Sequence, residues 1–590
     1  MVARFLSIAI LAAACAAAGL SGCAALPGTR APAFTVRRPQ QPPAPPALEL
    51  TSRERAAGHY LKGLIARNEG DSARALDEML RAAALDPGEP RIRQQLVELY
   101  VRRADLDQAV EQALTLAEMA PNNPQYRLLA ADLLSAVGRA QDAIEEYEAV
   151  LAHVPNNEEV LVKLGALYTR EGEAKKGIAL LTRAATLNPE SFVVQFYLGR
   201  AFARDGNYEE ALRAYRRAIE ANPSSDQTYL EMGFVYEQQG MRDKAVESYK
   251  KALEFNPSSL LARRQLGGIY VREGKFDDAI EQFEELVDLE DDPLDTQTKI
   301  GLISLEKGDF ERAALEFNMV LGARPEDHDV RFYLAVTYHE LGDLKAAERE
   351  LRLIPPTADR YGDARIHLGQ LLYEQGRVAE AATAVEKLLA YDPENVRALR
   401  YLIELYETER DFEKALAYAH RLVDSNPQND EFLYRLAWVY EKAGQRDQAI
   451  AILRRVIEIN PDNGPALNFL GYTYAERGEN LDEAERLIRH ALELHPNDGF
   501  FLDSLGWVFY QRGDYARAIT HLERAVELSG NDPVIGEHLA DAYSKVGRTE
   551  DAIRLYRDCE ARTEDTAQRK RVGEKLLELE GRAESTPSGT

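Results

Sequence analysis

The chain has 590 residues with a formal net charge of −26, and 29% of its residues are charged. Such a negative chain repels nucleic-acid phosphates, so a nucleic-acid partner is excluded. The three cysteines provide neither a disulfide framework nor a spacing typical of a metal site.

The first element is an apolar run from Phe5 to Leu20, and Arg4 is the only charged side chain in residues 1–22. The run is too short to span a bilayer as a helix of the mature protein. Its position after a single positive charge at the N-terminus is typical of a secretion signal. Residues 1–22 are therefore predicted to be a signal peptide.

The apolar run ends in Leu20-Ser21-Gly22-Cys23, which resembles the lipobox of bacterial lipoproteins. The resemblance implies that the Cys23 thiol is acylated and that Cys23 becomes the first residue of the mature protein. Several acyl chains together anchor a protein stably in a membrane. Ala24 follows, where an aspartate favours the inner membrane in related bacteria, so the implied location is the outer membrane, facing the periplasm. An ordinary signal peptide with an incidental cysteine is the alternative.

Residues 24–50 contain seven prolines and no apolar periodicity, and with Cys23 they are predicted to form a stiff tether. At about 3.1 Å per residue, an extended tether would reach up to roughly 80 Å from the lipid. Its arginines are either solvated or placed on anionic head groups; they are Arg30, Arg37 and Arg38. Thr51 and Glu54 then have the spacing of a capping box, which predicts the start of the first helix.

Beyond the tether, a glycine returns with a sequence period of 34, and a single insertion occurs near position 479. A glycine at this place ends a helix where positive φ is required. A fixed period of 34 is typical of a helical solenoid. The predicted turn residues are Gly70, Ala104, Gly138, Gly172, Gly206, Gly240, Gly274, Gly308, Gly342, Gly376, Arg410, Gly444, Gly478, Gly513 and Gly547.

Four other positions of the repeat agree with two closely packed helices. Five residues after the turn stands alanine, as at Ala245 and Ala279, with Gly177 as the exception. Seven residues before the turn the residue is small in most repeats, as at Gly233, and an aromatic stands four before it, as at Tyr236. We expect the small residues to let the helices approach and the aromatic to fill the gap above them. A proline midway between successive turns, as at Pro223, separates the repeats, because proline cannot continue a helix.

With this period and these positions the chain resembles the tetratricopeptide repeat (TPR) family over almost its whole length after the tether. The resemblance implies an all-α fold, a right-handed superhelical solenoid of about 15 helix-turn-helix repeats over residues 51–566. Residues 567–590 are predicted to form a capping helix and a polar tail. The pattern departs at 291–293 and 355–361, where late or doubled prolines are expected to alter the superhelical pitch locally.

No catalytic motif is found: there is no phosphate-binding glycine loop, no His-x-x-x-His pair and no Ser/His/Asp order. Fifteen repeats leave no space for a separate catalytic domain. The chain is therefore predicted to be no enzyme and to use no cofactor, metal or small-molecule substrate. Cys559 falls on a small packing position of the last repeat and is predicted to lie in the core.

Since the first helix of each TPR repeat lines the concave face, function is expected in that groove. Six residues before successive turns stand Trp438, Tyr472 and Trp507, and Tyr434 and Tyr510 face the same way. Two interpretations are open. The aromatics either stack between neighbouring first helices, or they form an exposed hot spot for a peptide or partner helix.

The predicted groove also changes its charge along the chain, from basic to acidic to aromatic. The basic residues, of which Arg200 and Arg204 are candidates for partner binding, are Arg170, Arg200, Arg204, Arg264 and Arg272. The acidic residues are Asp295, Glu306, Asp329, Glu340, Asp363, Glu374 and Glu404.

Two functions agree with this interpretation. Residues 466–541 look similar to large bacterial TPR lipoproteins, one of which is an adaptor for a carboxyl-terminal processing protease. That likeness implies a lipid-anchored adaptor that binds periplasmic or envelope proteins. The alternative is an assembly factor, like the pilotin lipoproteins that help an outer-membrane secretin or export channel to form. Pilotin-like proteins have about six repeats, so fifteen favour an adaptor with several partners.

Overall fold

The computed structural model describes residues 50–585, with side chains up to residue 581. All 31 secondary-structure elements in this range are α-helices, which confirms the predicted all-α class. The signal peptide, the lipidation site Cys23, nearly all of the tether and the last five residues lie outside the described residues. The chain divides into two compact units between Asp291 and Asp292.

The N-terminal unit consists of seven helix pairs, each a first helix and a second helix of similar length. Its helices are α1 (Ser52–Asn68), α2 (Ser72–Leu85), α3 (Pro90–Arg102), α4 (Leu106–Met119), α5 (Pro124–Ala136), α6 (Ala140–His153), α7 (Glu158–Arg170), α8 (Ala174–Leu187), α9 (Phe192–Arg204), α10 (Tyr208–Ala221), α11 (Asp226–Gln238), α12 (Arg242–Phe255), α13 (Leu260–Arg272) and α14 (Phe276–Val287).

The C-terminal unit consists of eight helix pairs and one final unpaired helix. Its helices are α15 (Leu294–Lys307), α16 (Phe310–Ala323), α17 (His328–Glu340), α18 (Leu344–Leu353), α19 (Tyr361–Glu374), α20 (Val378–Tyr391), α21 (Val396–Thr408), α22 (Phe412–Ser425), α23 (Asp430–Lys442), α24 (Arg446–Ile459), α25 (Gly464–Arg477), α26 (Leu481–Leu494), α27 (Gly499–Gln511), α28 (Tyr515–Leu528), α29 (Pro533–Lys545), α30 (Thr549–Arg562) and α31 (Thr566–Ser585).

The residue that ends each first helix has the left-handed backbone conformation that the glycine period predicts. At Gly240, φ is +70°, the Gly240 amide donates to the Glu237 carbonyl and the next amide donates to the Tyr236 carbonyl over 2.9 Å. These two bonds satisfy carbonyls that the helix end would leave unpaired. Ala104 and Arg410 take the same conformation, with φ of +57° and +59°, although neither is glycine. The count of 34 therefore identified these turns where the residue type did not.

Within most pairs, a small residue on the first helix faces a larger side chain about nine residues after the turn, as Gly233 faces Tyr249. A Cβ added at Gly233 would lie 2.3 Å from the Tyr249 ring, so the glycine is required by that close approach. Ala245 is fully buried at the predicted packing position, and Tyr236 is buried as predicted. The gap above the small residues is thus filled by two side chains, of which only Tyr236 was expected from the sequence.

Two capping arrangements explain where the helices start. The predicted capping box is present: the Glu54 amide donates to the Thr51 hydroxyl over 3.3 Å and the Thr51 amide donates to the Glu54 carboxylate over 2.7 Å. Most later first helices begin at a serine, asparagine or aspartate that accepts a bond from the next turn, as Ser225 does from the Thr228 amide. These caps satisfy amides that have no partner inside the helix.

Both departures from the repeat coincide with helix ends. Second helix α14 stops at Val287, and the division between the units falls at the predicted irregular joint. Second helix α18 ends early, at Leu353, because two prolines follow it. Buried Arg365 donates to the carbonyls of Leu351 and Ile354 over 3.1 and 2.9 Å, which satisfies the early end of α18.

The second helix of the last pair contains a buried cysteine. Cys559 is buried as predicted, and burial raises the pKa of its thiol to about 12. A thiol that stays protonated is a poor nucleophile, so Cys559 is a packing residue. No helix between residues 50 and 585 is long and apolar enough to cross a membrane.

Candidate functional site

The candidate surface is the first-helix face, formed by side chains two, three, six, nine, ten and thirteen residues before each turn residue. Several contacts between neighbouring first helices have a sequence offset of 31, three fewer than the repeat period, and others have offsets of 28 or 35. Because three residues are about one helical turn, the offset of 31 brings a residue six before one turn to the residue nine before the next turn. The pairs that show this are Asp132–Lys163 at 2.8 Å, Arg200–Glu231 at 3.3 Å, Trp438–Phe469 at 5.9 Å and Trp507–His538 at 4.2 Å.

In the C-terminal unit, Tyr434 and Trp438 of α23 and Phe469 of α25 form what we name the Trp438 patch. The Phe469 ring lies edge-on to Tyr434 and Trp438, with centroids 6.1 and 5.9 Å away. Trp438 is 37% exposed, whereas Tyr434 is half-buried and burial raises its pKa. The patch thus presents one large exposed aromatic ring held by two partly covered ones.

Charged side chains surround the Trp438 patch. The Lys442 ammonium lies 4.6 Å from the centroid of the Trp438 ring, a cation–π geometry. On the same helix, Glu441 pairs with Arg446 over 3.0 Å, and Arg446 also reaches Glu476 over 3.2 Å. The patch is therefore a small apolar surface inside a rim of alternating charge, which is the anatomy of a protein-binding surface.

The other predicted aromatics form a second group, the Trp507 cluster, around His538 of α29. The Trp507 ring stacks on His538 with centroids 4.2 Å apart and on Tyr510 with centroids 4.5 Å apart. Tyr472 reaches the same imidazole, with centroids 6.4 Å apart. Trp507, Tyr472 and Tyr510 are half-buried, and the Trp507 indole nitrogen is buried without a hydrogen-bond partner. In this cluster stacking between first helices dominates.

His538 is held by a buried carboxylate beneath the Trp507 ring. Its Nδ1 lies 2.8 Å from the Asp503 carboxylate, and both side chains are almost fully buried. Burial acts to lower the pKa of His538, but the negative charge of Asp503 and its hydrogen bond outweigh burial, so the pKa is raised. Asp541 and Glu537 act in the same direction. The imidazole is therefore favoured in its charged form, between an aromatic ring and a carboxylate.

The final helix α31 closes the last first-helix face with positive charges. Arg571 donates two hydrogen bonds of 2.7 Å to Glu537, and Lys575 lies 2.9 Å from Glu537 and 2.6 Å from Asp541. Burial acts to raise the pKa of Glu537, but these bonds outweigh it and lower the pKa to about 2. Helix α31 thus neutralises both carboxylates, of which Glu537 is buried and takes its positive partners from this helix.

In the N-terminal unit, Arg200 and Arg204 are both exposed on α9. Arg200 pairs with Glu231 over 3.3 Å and lies 5.9 Å from the ring centroids of Phe196 and Tyr197. Burial raises the pKa of Glu231, and the charges of Arg200 and Arg204 offset only part of that effect. Arg200 is thus partly occupied within the chain, and Arg204 presents its charge more freely.

Ion pairs remove several of the charges expected in the groove. Arg264 pairs with Glu290 and Arg272 pairs with Glu237, each over 2.7 Å. In the C-terminal unit three of the expected acidic residues are paired with arginines; the pairs are Asp295–Arg324, Asp329–Arg360 and Asp363–Arg397. The glutamates that remain exposed are Glu306, Glu340, Glu374 and Glu404. The acidic character of this face therefore rests on fewer residues than the sequence indicated.

Two histidines join this face, His339 of α17 and His367 of α19. Their Nδ1 and Nε2 atoms lie 3.2 Å apart, and the other ring nitrogen of His339 lies 2.8 Å from Glu374. In residues 50–581, whose side chains are described, no three histidine, cysteine or acidic side chains come together as metal ligands. The contacts of these histidines are therefore hydrogen bonds and ring packing, like those of the aromatic residues on this face.

Phe469 and His538 were absent from the sequence prediction, although they decide how the two tryptophans are placed. Both stand nine residues before a turn residue, one repeat after the tryptophan that they contact. The sequence offset of 31 between neighbouring first helices is the signal that would have identified them.

Models of the tetratricopeptide repeat match most of the described chain. One such model matches residues 66–133, 304–371, 406–468, 442–499 and 509–572, and a second matches 367–430 and 473–533. Three further TPR models match 199–240, 227–259 and 262–297. No curated protein sequence matches the chain.

Solved structures of repeat proteins are similar to parts or most of the chain. MamA is 31% identical, with a TM-score of 0.26, over 27% of this chain and 93% of its own. YrrB, described as a TPR protein with an unusual peptide-binding site, is 20% identical over 32% of this chain and 96% of its own, with a TM-score of 0.28. Yeast Tom70 is 14% identical over 90% of this chain and 97% of its own, with a TM-score of 0.33. Because TPR models match more than half of its residues, the chain belongs to the tetratricopeptide repeat proteins, whose members bind protein partners.

Proposed function

We propose that the chain is a lipid-anchored periplasmic adaptor that binds protein partners through the Trp438 patch and brings a protease or hydrolase to its substrates. The observation that carries the proposal is the exposure of Trp438. A ring 37% exposed, with Phe469 and Tyr434 beside it and charges around it, loses solvent contact when a partner covers it. Aromatic residues of this kind dominate binding energy at protein interfaces.

The anchor is the second part of the proposal and rests on the sequence Leu20-Ser21-Gly22-Cys23. An acylated Cys23 would hold the repeats at the periplasmic face of the outer membrane, where the partners of an adaptor are found. Replacing Cys23 with serine removes the acylated thiol, so the variant is expected in the soluble fraction. A Cys23→Ser variant that fractionates with outer membranes at unchanged mass contradicts the anchor.

Partner binding is tested by capture of envelope proteins with the full chain. The wild type is compared with Trp438→Ala and with Tyr391→Ala, a matched control whose exposed ring lies on second helix α20. We expect the control to retain the captured protein and Trp438→Ala to retain at least tenfold less. If Trp438→Ala retains as much captured protein as the wild type, the Trp438 patch is not the surface that binds partners.

The captured protein also separates the adaptor from the pilotin-like alternative. A soluble protease or cell-wall hydrolase supports the adaptor. If the captured protein is an outer-membrane secretin or export channel, and Trp438→Ala no longer captures it, the result supports an assembly factor that uses the same surface.

A further inference from the structure

The two edges of the first-helix face differ in charge between α17 and α25. Along the edge near the helix starts, carboxylates pair with arginines of neighbouring repeats, and the pairs are Asp329–Arg360, Asp363–Arg397 and Glu431–Arg400. Along the edge near the helix ends, the positions two, three and six before the turns carry six glutamates and one lysine. These residues are Glu340, Glu374, Glu404, Glu407, Glu441, Glu476 and Lys442. The edge that contains Trp438 is therefore negatively charged.

Two glutamates of this edge precede the Trp438 patch on consecutive first helices. Glu374 of α19 and Glu404 of α21 are both exposed. Within the part of the chain that the structure describes, Glu404 forms no ion pair, and Glu374 pairs with the imidazole of His339 over 2.8 Å. Neither carboxylate is thus neutralised by a lysine or arginine.

Contacts between the three first helices make this surface continuous. A Cβ added at Gly369 of α19 would lie 3.1 Å from the hydroxyl oxygen of Tyr401 of α21. Arg435 of α23 donates a hydrogen bond to Glu407 of α21. The helices α19, α21 and α23 are therefore direct neighbours, and packed helix axes lie roughly 10 Å apart.

The surroundings of the two exposed glutamates lack positive charge. Burial raises the pKa of Tyr401 to about 12, and nearby negative charges that include Glu404 and Glu374 add to the rise. Burial also raises the pKa of Glu407, where Glu404 adds to the effect and two nearby cations offset only part of it. A cation supplied from outside would stabilise these carboxylates in their charged form.

We propose that the partner segment bound at the Trp438 patch is basic and extended, with an apolar side chain on Trp438 and arginines or lysines at Glu404 and Glu374. This inference rests on the proposed function, since it names the chemistry of the partner that the same surface binds. Opposite charge across an interface speeds association and selects the partner. The apolar residue covers the exposed ring, and the cations meet the carboxylates that lack one.

The dimensions of the acidic edge favour an extended segment. Positions two to six before a turn cover about 6 Å along a helix, which is narrower than an α-helix with its side chains. A polyproline II segment has three residues per turn and rises about 3.1 Å per residue, so side chains on one of its sides repeat about every 9 Å. That interval matches the roughly 10 Å between neighbouring first helices. The two cations are therefore expected three and six residues from the apolar residue.

The test uses the fluorescence of Trp438 in the full chain with Trp507→Phe, which leaves Trp438 as the only tryptophan. The probe is a synthetic peptide with blocked ends that contains one leucine, arginines three and six residues from it, and alanine elsewhere. It is made in both chain directions. We expect one direction to protect Trp438 from acrylamide saturably, and to bind at least fivefold more tightly than a peptide of equal composition with its arginines one and two residues from the leucine.

Variants of the chain locate the cations. Glu404→Gln and Glu374→Gln are each expected to weaken binding of the spaced peptide at least threefold. The matched control is Glu340→Gln, because Glu340 is equally exposed but lies on α17, one first helix beyond the second arginine. We expect this control to bind the peptide as the parent does.

The proposal is overturned if the spaced and rearranged peptides bind equally, or if neither Glu404→Gln nor Glu374→Gln weakens binding. It is also overturned if a peptide with glutamate in place of arginine binds more tightly, or if neither direction protects Trp438 at millimolar concentration. Tighter binding of a helical peptide, with arginines seven and fourteen residues from the leucine, overturns it as well and assigns a helical partner.

Failure of this inference is distinguishable from failure of the proposed function. If Trp438→Ala loses the captured envelope protein while the peptides show no preference for the spaced arginines, only the present inference is wrong. If the spaced peptide binds as expected and no captured protein depends on Trp438, the adaptor is wrong and the surface is a site for basic segments alone.

Discussion

Trp438 and Trp507 occupy the same position of the repeat, six residues before the turn, yet they have different surroundings. Trp438 is exposed and meets the edge of Phe469, while Trp507 is half-buried and stacks on His538. The difference arises one repeat later, because the residue nine before the next turn determines what each tryptophan contacts. A repeat position therefore predicts the face on which a side chain lies, and the contacting residue on the next first helix predicts whether that side chain is free to bind.

The largest expected effect is on stability at Trp507. Trp507→Ala removes the ring that covers His538 and stacks on Tyr510, and we expect it to destabilise the C-terminal unit by about 2–4 kcal/mol. Trp438→Ala removes a more exposed ring and is expected to cost less than about 1 kcal/mol. Denaturant unfolding of both variants measures the two losses, and equal losses would contradict the division into a patch and a cluster.

The next effect is on binding, and it has the opposite order. Trp438→Ala is expected to weaken partner binding at least tenfold, which corresponds to about 1.4 kcal/mol. Trp507→Phe keeps an aromatic ring on His538 and is expected to change binding less than threefold. Titration of each variant with the captured partner gives the two constants. A greater loss for Trp507→Phe than for Trp438→Ala would mean that partners bind at the Trp507 cluster.

The Trp507 cluster is also expected to depend on pH, through His538. Because the folded pKa of His538 is raised, its contribution to stability is fully present below the unfolded pKa and is lost as the pH rises through the folded pKa. The pH range in which this contribution to stability is lost therefore lies above about 6.5, the ordinary pKa of histidine. In a Trp438→Phe background, charged His538 is expected to quench Trp507, so emission recovers as the pH rises.

Asp503→Asn provides the control for that titration. Without the carboxylate, burial and the more distant Asp541 and Glu537 remain, so the midpoint of the Trp507 recovery is expected at lower pH. The pKa of Glu537 is lowered to about 2, so its contribution to stability is lost only as the pH falls from about 4.5 toward 2. That pH range does not overlap the range in which His538 titrates. A midpoint unchanged in Asp503→Asn would show that another group quenches Trp507.

The features that repeat could be predicted from the sequence, and those that depend on one particular neighbour could not. The period identified Ala104 and Arg410 as turn residues against their own conformational preference, and the capping box at Thr51 and the core position of Cys559 followed from local rules. The sequence assigned Trp438 and Trp507 to the same position of the repeat. It did not predict their different surroundings, because a repeat position contains no information about the following repeat.

The role of Arg365 shows the same limit in the framework of the fold. Its burial results from the early end of α18, whose carbonyls it binds, and neither the period nor the residue type indicates such a contact. Likewise, Asp329 and Asp363 belong to a predicted acidic face, but their charges are offset by Arg360 and Arg397 from neighbouring repeats. Charge on a solenoid surface is therefore decided by pairs between repeats, and a list of charged positions overestimates it.

The smallest expected effect is the difference between two coupling free energies, that of Trp438 with Lys442 and that of Trp507 with His538. The Lys442 ammonium, 4.6 Å from the Trp438 ring, is partly solvated, so its cation–π contact is expected to contribute only about 0.5 kcal/mol. A double-mutant cycle of Trp438→Ala with Lys442→Gln measures that coupling as a difference in unfolding free energy. The matched cycle, Trp507→Ala with His538→Gln, is expected to give a coupling at least twice as large, because His538 is buried and the two rings are stacked. A stronger coupling at Lys442 than at His538 would place the rigid aromatic site at Trp438, and the exposure of that ring would then be no sign of a binding surface.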